Sequence, residues 1–428
     1  MLGLALLGAV HPLLHAAPAM QTRKAVDRAT DRALAAIAAD PACLLASLSV
    51  LAIRNGRPLY QFACGQRSIG ANLPANANTL YRIASISKLI TTIGVMRMVE
   101  AGQLDVDADV SRYLGFTLRN PHFRDRPITL RSLLTHTSSL RDDAGYSWPL
   151  ATALSAVFAG GGAMWSADVG PGAFFTYCNL GWGVIGTIME RVSGERFDQL
   201  MRRLVLAPLG VHGGYNPSAL PAADVANIAT IYRKQTVDTE VWNSAGPWIA
   251  QVDDFTNRAP QPPAGIEAYV AGANATPFSP TGGLRISAAG LGVVMQMLMA
   301  GGVFQGTRLL KPETVELMFG RQWTFDGARA NGATNNGLFQ AWGLGNQQFI
   351  DAPGSRLIEG ADFDACGHLG DAYGLRSMFL FDRTQKTGFI VLTGGTSSDP
   401  DTVKGSHSAL AAFEERILAA LWERTRHA

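Results

Sequence analysis

The chain has 428 residues, and 36 Lys plus Arg against 34 Asp plus Glu leave a net charge of only +2. Charged residues make up 16% and hydrophobic ones 47%, so a large core is available and bulk disorder is excluded. The near-neutral balance offers no basic field for phosphates, which argues against a nucleic-acid partner, and no apolar run is long enough for an integral membrane span.

At the N-terminus, Leu2 to Val10 is apolar, Pro12 breaks the run, and Ala17-Pro18-Ala19 follows. This matches the apolar region and small-residue cleavage site of a secretory signal, although no Lys or Arg precedes it. Residues 1–19 are therefore expected to be a signal peptide, and the protein to be exported to the periplasm or secreted. The alternative is a true start at Met20. Two β-rich runs, 46–53 and 58–64, flank Asn55-Gly56, a strong hairpin signal. A two-residue turn there leaves Cys43 and Cys64 out of register by about four residues, too far for a disulfide. With Cys178 and Cys366 they form no C-x-x-C pair and no zinc spacing. Buried free thiols and no metal are expected.

Residues 85–101 are apolar around nearly the whole helical circumference and meet Gly102, which predicts a buried helix with a glycine stop. Further helices are expected at 180–193 and 196–206. The stretch 241–282, with WNSAGPW, APQPPAG and FSPTGG, reads as a long loop that could act as a lid or binding loop. An apolar helix at 287–300, strand-like runs at 373–381 and 388–394, and an amphipathic helix at 407–424 complete the chain.

Familiar sites are missing: no G-x-S-x-G elbow, no H-E-x-x-H and no phosphate loop occur. The i, i+4 pair His11 and His15 lies inside the signal region. Ser85-Ile86-Ser87-Lys88 differs, because residues i and i+3 share a helical face and the Lys88 amine can reach the Ser85 hydroxyl. A serine becomes nucleophilic when a neighbour takes its proton, and a lysine can do so once burial lowers its pKa.

The blocks LYRIASISKLITTIGVMRMVEAGQL, ITLRSLLTHTSSL and FTYCNLGWGVIGTIMERVSGERF, in this order, resemble the serine β-lactamase and penicillin-binding family, in its class C branch. The resemblance runs from about residue 40 to the C-terminus. It implies an α+β fold: an antiparallel sheet flanked by helices, formed by 20–110 and 281–428, with a mainly helical domain inserted at 111–280. Ser85 then matches the acylated serine and Lys88 its partner. Tyr177-Cys178-Asn179 matches the family's Tyr-x-Asn. In an extended loop both outer residues point one way while Cys178 turns aside. By resemblance Tyr177 relays protons with a phenolic pKa lowered by Lys88, and Asn179 orients Lys88 or substrate.

A literal Lys386-Thr387-Gly388 matches the family's third motif but falls between two strand-like runs, where a hairpin turn is expected. His368-Leu369-Gly370 is the better match as a His-x-Gly variant. Gly370 is expected to let substrate approach the backbone, with the N–H groups of Asp371 and Ser85 forming the oxyanion hole. His136 sits in a family signature and is read as structural, at the base of the helical domain, with Ser139 where the family commonly has Gly. Arg141, Asp142, Asp143, Tyr146 and Trp148 line the cleft mouth or a solvated loop. Gly282-Gly283-Leu284-Arg285 is read as a turn before the next helix.

Together these imply a serine hydrolase with an acyl-enzyme intermediate and no cofactor, acting on a small-molecule or short peptide substrate. His368 carries no permanent cation, and Asp371 adds a negative charge beside it. At an ordinary pKa of about 6.5, His368 would attract carboxylates only in acid. An esterase, amidase or D-amino-acid peptidase is therefore favoured over a true β-lactamase, a transacylase or a catalytically idle penicillin-recognising protein. The oligomeric state is left open.

Overall fold

The computed structural model describes residues 25–350, 352 and 354–427; the expected signal region lies outside the described residues. Strands β1 (Ser47–Arg54) and β2 (Arg57–Ser68) form the hairpin on Asn55-Gly56, whose φ values are 52° and 72°. These are the left-handed turn conformations that Asn-Gly adopts at low cost. Arg54 faces Arg57, but an irregularity between Ala52 and Ile53 shifts the remaining register, so Cys64 faces Leu48. All four cysteines are free, and Cys64 is half-buried rather than buried.

The hairpin sits in a nine-stranded sheet with strands β3 (Ala365–Ala372), β4 (Leu375–Asp382) and β5 (Thr387–Thr393), β5 pairing antiparallel with β1. Side chains alternate between two cores. Leu48, Val50, Ala52, Met378, Leu380, Phe389 and Val391 meet helices α1 (Ala25–Ala38) and α5 (Ala412–Arg426). Leu51, Ile53, Phe379, Phe381, Ile390 and Leu392 face the opposite core, with α2 (Ile86–Glu100) and α4 (Ala288–Met299). Because helices cover both faces, the strand centres Val50–Ile53, Met378–Phe381 and Phe389–Leu392 read as unbroken apolar runs. Between α2 and α4 runs α3 (Leu180–Ser193), within residues 111–280.

Several expected elements differ. The run at 196–206 starts as α-helix Phe197–Met201 and passes into a π-helical turn, Arg202–Leu206. The expected loop 241–282 contains the strand Trp248–Val252, which pairs with Ile231–Lys234, which in turn pairs in parallel with Gly395–Thr396. The part beyond 210 thus has strands tied to other parts of the chain, and its helices are single turns such as Ala222–Val225. Its Pro- and Gly-rich flanks conceal the strand, since the partner that makes it one lies elsewhere in the chain. Strand β3, with two glycines, was likewise not expected from its pattern. Tyr373 lies in the turn before β4, and the closing helix begins at Ala412, not at 407.

A second small sheet joins Tyr81–Arg82, Arg285–Ile286 and Gly213–Gly214. The Arg285 guanidinium donates to both oxygens of Asp253, at 3.0 and 2.6 Å, and to the carbonyls of Gly283 and Tyr215. Both members of this pair are buried, so removing one strands a charge in the interior. Asp253→Ala is expected to cost about 3–5 kcal/mol in denaturant unfolding. A change below about 1 kcal/mol, the range of an exposed pair, would show that water reaches the site.

Candidate active site

Ser85 is the residue before α2, and Ala84 ahead of it has φ 46°, a left-handed conformation that costs a residue with a Cβ. Lys88, one turn into the helix, is fully buried. Its Nζ donates to Ser85 Oγ at 2.9 Å, Asn179 Oδ1 at 2.8 Å and the Thr281 carbonyl at 3.1 Å. Burial pulls its pKa down to about 7, against the opposing pull of Asp142 and Cys178.

The orientation of Asn179 follows from Asp142. The Asp142 carboxylate accepts from the Asn179 side-chain amide at 2.8 Å and from the backbone N–H groups of Asn179 and Leu180, capping α3 from outside the helix. That leaves Asn179 Oδ1 facing Lys88, where it also accepts from the Thr281 hydroxyl at 2.6 Å. Asp142 therefore acts behind Asn179, while Arg141 and Asp143 form an exposed pair at 3.0 Å and, of the residues expected at the cleft mouth, Tyr146 lines the cleft. Thr281 was not singled out in the sequence; the only hint was its place beside Gly282-Gly283.

Tyr177 lies between two rings, stacked on His136 with centroids 4.4 Å apart and on Phe339 at 5.4 Å. Lys88 Nζ lies 4.9 Å from its ring centroid. Its phenol is not acidified: burial raises its pKa, with the Ser85 hydroxyl pulling only partly the other way. Cys178 turns aside, its thiol 3.4 Å from Asp142. His136 is structural but not remote. Besides stacking on Tyr177, its Nδ1 accepts from the Cys178 N–H at 3.0 Å, and burial holds its pKa well below the usual range. Ser139 has φ 66°, the conformation that a glycine adopts freely.

His368, Gly370 and Asp371 lie on β3 along the same cleft of about 890 Å³ that Ser85, Tyr177 and Asn179 line. Burial and the nearby Lys88 bring the His368 pKa down to about 3, and its Nδ1 meets the Leu369 carbonyl at 2.7 Å. His368 therefore stays neutral across the working range and cannot become the acid-dependent carboxylate receptor expected from an ordinary imidazole. Asp371 is paired with Arg376 at 3.2 Å, and Arg376 also binds Asp401 at 2.9 Å. Lys386 is exposed in the β4–β5 turn at φ 51°, far along the strands from this site.

Gly370 has a different reason from the one expected. A Cβ there would lie 2.4 Å from the Ile83 carbonyl oxygen and 2.2 Å from Ser377 Oγ, and Ser377 Oγ itself donates to that carbonyl at 3.0 Å. The glycine lets the segment leading to Ser85 lie against β3.

The β-lactamase family model matches residues 32–413. The chain belongs to this family. Among curated relatives, penicillin-binding protein 4 of Amycolatopsis lactamdurans is 28% identical over 165 residues, 38% of this chain and 43% of that protein. Esterase EstB of Burkholderia gladioli is 32% identical over 194 residues, 39% of this chain and 46% of EstB. The chain spans about half the length of the curated relatives it matches. Its fold is that of the family: EstCE1, a hydrolase with promiscuous acyltransferase activity, superposes with TM-score 0.65 at 22% identity, covering 93% of this chain and 99% of EstCE1. D-amino acid amidase from Ochrobactrum anthropi SV3 gives 0.65 at 18% identity, covering 94% and 99%.

Gly370→Ala is expected to push the Ser85 segment off β3, lowering stability by about 1–3 kcal/mol. The labelling rate of Ser85 by a fluorophosphonate should fall at least about tenfold, the size of a displaced reacting group. A wild-type labelling rate would show that the strand yields without moving the serine.

Proposed function

We propose that this family member is a serine hydrolase that acylates Ser85 and releases the acyl group to water, acting on an ester or amide as an esterase, amidase or D-amino-acid peptidase does. One observation carries the reading: the three partners of the buried Lys88 amine are not equivalent. The Thr281 carbonyl has no proton to give, and Asn179 Oδ1 is held as an acceptor by Asp142. Only the Ser85 hydroxyl can reverse its hydrogen bond. A neutral Lys88 thus donates two protons to fixed acceptors and turns its lone pair to Ser85, as a general base requires.

In this reading Ser85 attacks the carbonyl carbon and its proton passes to Lys88; Tyr177, protonated because it is buried, delivers a proton to the leaving group and regains one from Lys88, so that both return to their starting forms. The N–H groups of Ser85 and Asp371 receive the oxyanion. Water then attacks the acyl-enzyme by the reverse proton path. The esterase, carboxypeptidase and amidase names among the relatives agree with this chemistry. No free cation stands at the third motif, since His368 is neutral and Arg376 is engaged by two carboxylates, which disfavours true β-lactamase activity. No helix among the described residues is long and apolar enough to cross a membrane, and export through the Leu2–Val10 segment is part of the proposal.

A fluorophosphonate is expected to add one mass at Ser85, and Lys88→Ala to slow that labelling by about 10²-fold or more, the lower range for a general base. Labelling that persists in Ser85→Ala would overturn the assignment. The pH dependence has a definite sign. Lys88 is active when neutral, and its pKa is about 7, so kcat/KM for a neutral ester should rise about tenfold between roughly pH 6 and 8 and then level. His368, already neutral, should add no second inflection. A flat profile would remove Lys88 as the base.

A further inference from the structure

The cleft holds one more cation. Arg82 lies three residues before Ser85, half-buried, and lines the same cavity. Its Nε is buried without a hydrogen-bond partner, and no carboxylate pairs with it among the described residues. The acidic group that most favours its charge is Asp253, whose two oxygens are already taken by Arg285. Burial and the Arg285 charge pull the Arg82 pKa down to about 10, so it remains cationic at neutral pH. The other cations of the cleft are engaged: Lys88 by three acceptors, Arg376 by Asp371 and Asp401.

Two tyrosines act on this guanidinium, one of them in contact with it. Tyr373 places its ring 5.3 Å from the Arg82 guanidinium carbon, and Tyr146 is the second aromatic lining this end. Both are unusually exposed for their size, at 48% and 46%. Tyr373 is also held in a costly conformation. It is the first residue of the two-residue Tyr373-Gly374 turn between β3 and β4, with φ 58°, where Asn or Asp is the residue such turns favour. A bulky side chain kept at positive φ beside a nucleophile points to a role in binding.

We propose that Arg82, with Tyr373 and Tyr146, is a carboxylate-binding subsite, so that the preferred substrates are esters or amides carrying a carboxylate close to the scissile carbonyl. The inference rests on the serine hydrolase reading for its catalytic consequence. Guanidinium and carboxylate match as a two-pronged pair, and a partly desolvated arginine lacking an acceptor gains the most from receiving one. Three residues separate the Arg82 and Ser85 Cα atoms by at most about 11 Å, which suits a short dicarboxylic half-ester or a dipeptide-sized molecule.

The test compares mono-4-nitrophenyl glutarate, with the carboxylate on the acyl side, and 4-carboxyphenyl valerate, with it on the leaving side, each against its uncharged counterpart. Arg82→Gln is expected to lower the charged-to-neutral ratio of kcat/KM by about 10- to 100-fold for one of the pairs, the size of a hydrogen bond to a charged group. The affected pair identifies the end of the substrate that is held. Arg82→Lys, which keeps the charge but not the fork, should fall between. Tyr373→Asn should raise the Tm by relieving the turn while lowering the same ratio. Fluorophosphonate labelling of Ser85 checks that each variant is folded. Equal loss on charged and neutral esters, or no change in either ratio, would overturn the subsite. If Ser85 of the wild-type protein takes no fluorophosphonate and no ester is turned over, the hydrolase reading fails, and calorimetry of glutarate binding to Ser85→Ala decides the subsite alone: binding lost with Arg82→Gln supports it, and binding insensitive to Arg82 overturns it.

Discussion

An ammonium group removed from water is expensive unless each of its protons finds an acceptor. Lys88 is such a group, and the architecture around Ser85 follows from satisfying it. Its three partners come from the start of its own helix, from the loop before α3, and from the turn after the inserted segment. Those segments must converge for the lysine to be buried at all. The convergence is itself braced: Asp142 orients Asn179, and the Asp253–Arg285 pair fastens the turn that carries the Thr281 carbonyl. The same desolvation that makes the site costly brings the lysine to a pKa near 7, so the cost to stability and the capacity to accept a proton have one origin.

The aromatic packing beside Lys88 works in the opposite direction on its neighbours. His136, Tyr177, Phe339, Trp342 and His368 form one cluster of ring contacts, and the dry surroundings favour the neutral form of every titratable member. Two imidazoles therefore stay uncharged, and the phenol keeps its proton. A cluster of this kind fixes ring positions without supplying charge. The charged groups of the cleft are unequally matched: β3 offers an Asp371–Arg376–Asp401 chain that is internally balanced, whereas the strand leading to Ser85 offers Arg82, which has no carboxylate partner among the described residues.

Much of this was legible in the sequence wherever the governing rule is local. Asn55-Gly56 specifies its turn through the conformations those two residues tolerate. The α2 helix announces its burial by being apolar on every side, and Ser85 and Lys88 share a face because helical spacing requires it. The exposed turn at Lys386 could be separated from the third motif because strand-like runs flank it. Strand Trp248–Val252 was hidden, since its short run sits among prolines and glycines and becomes a strand only by pairing with Ile231–Lys234.

What the sequence alone determined, then, was the family, the sheet-and-helix plan and the candidate reacting residues. Tertiary structure decided their ionisation and the reasons for their neighbours. The acceptors of Lys88 lie 91 and 193 residues away, the carbonyl that forbids a side chain at Gly370 belongs to Ile83, and the neutrality of His368 comes from burial among rings contributed by distant segments. A pKa measures the free energy of placing a charge in a particular three-dimensional environment, and residue spacing carries no information about how much water that environment retains.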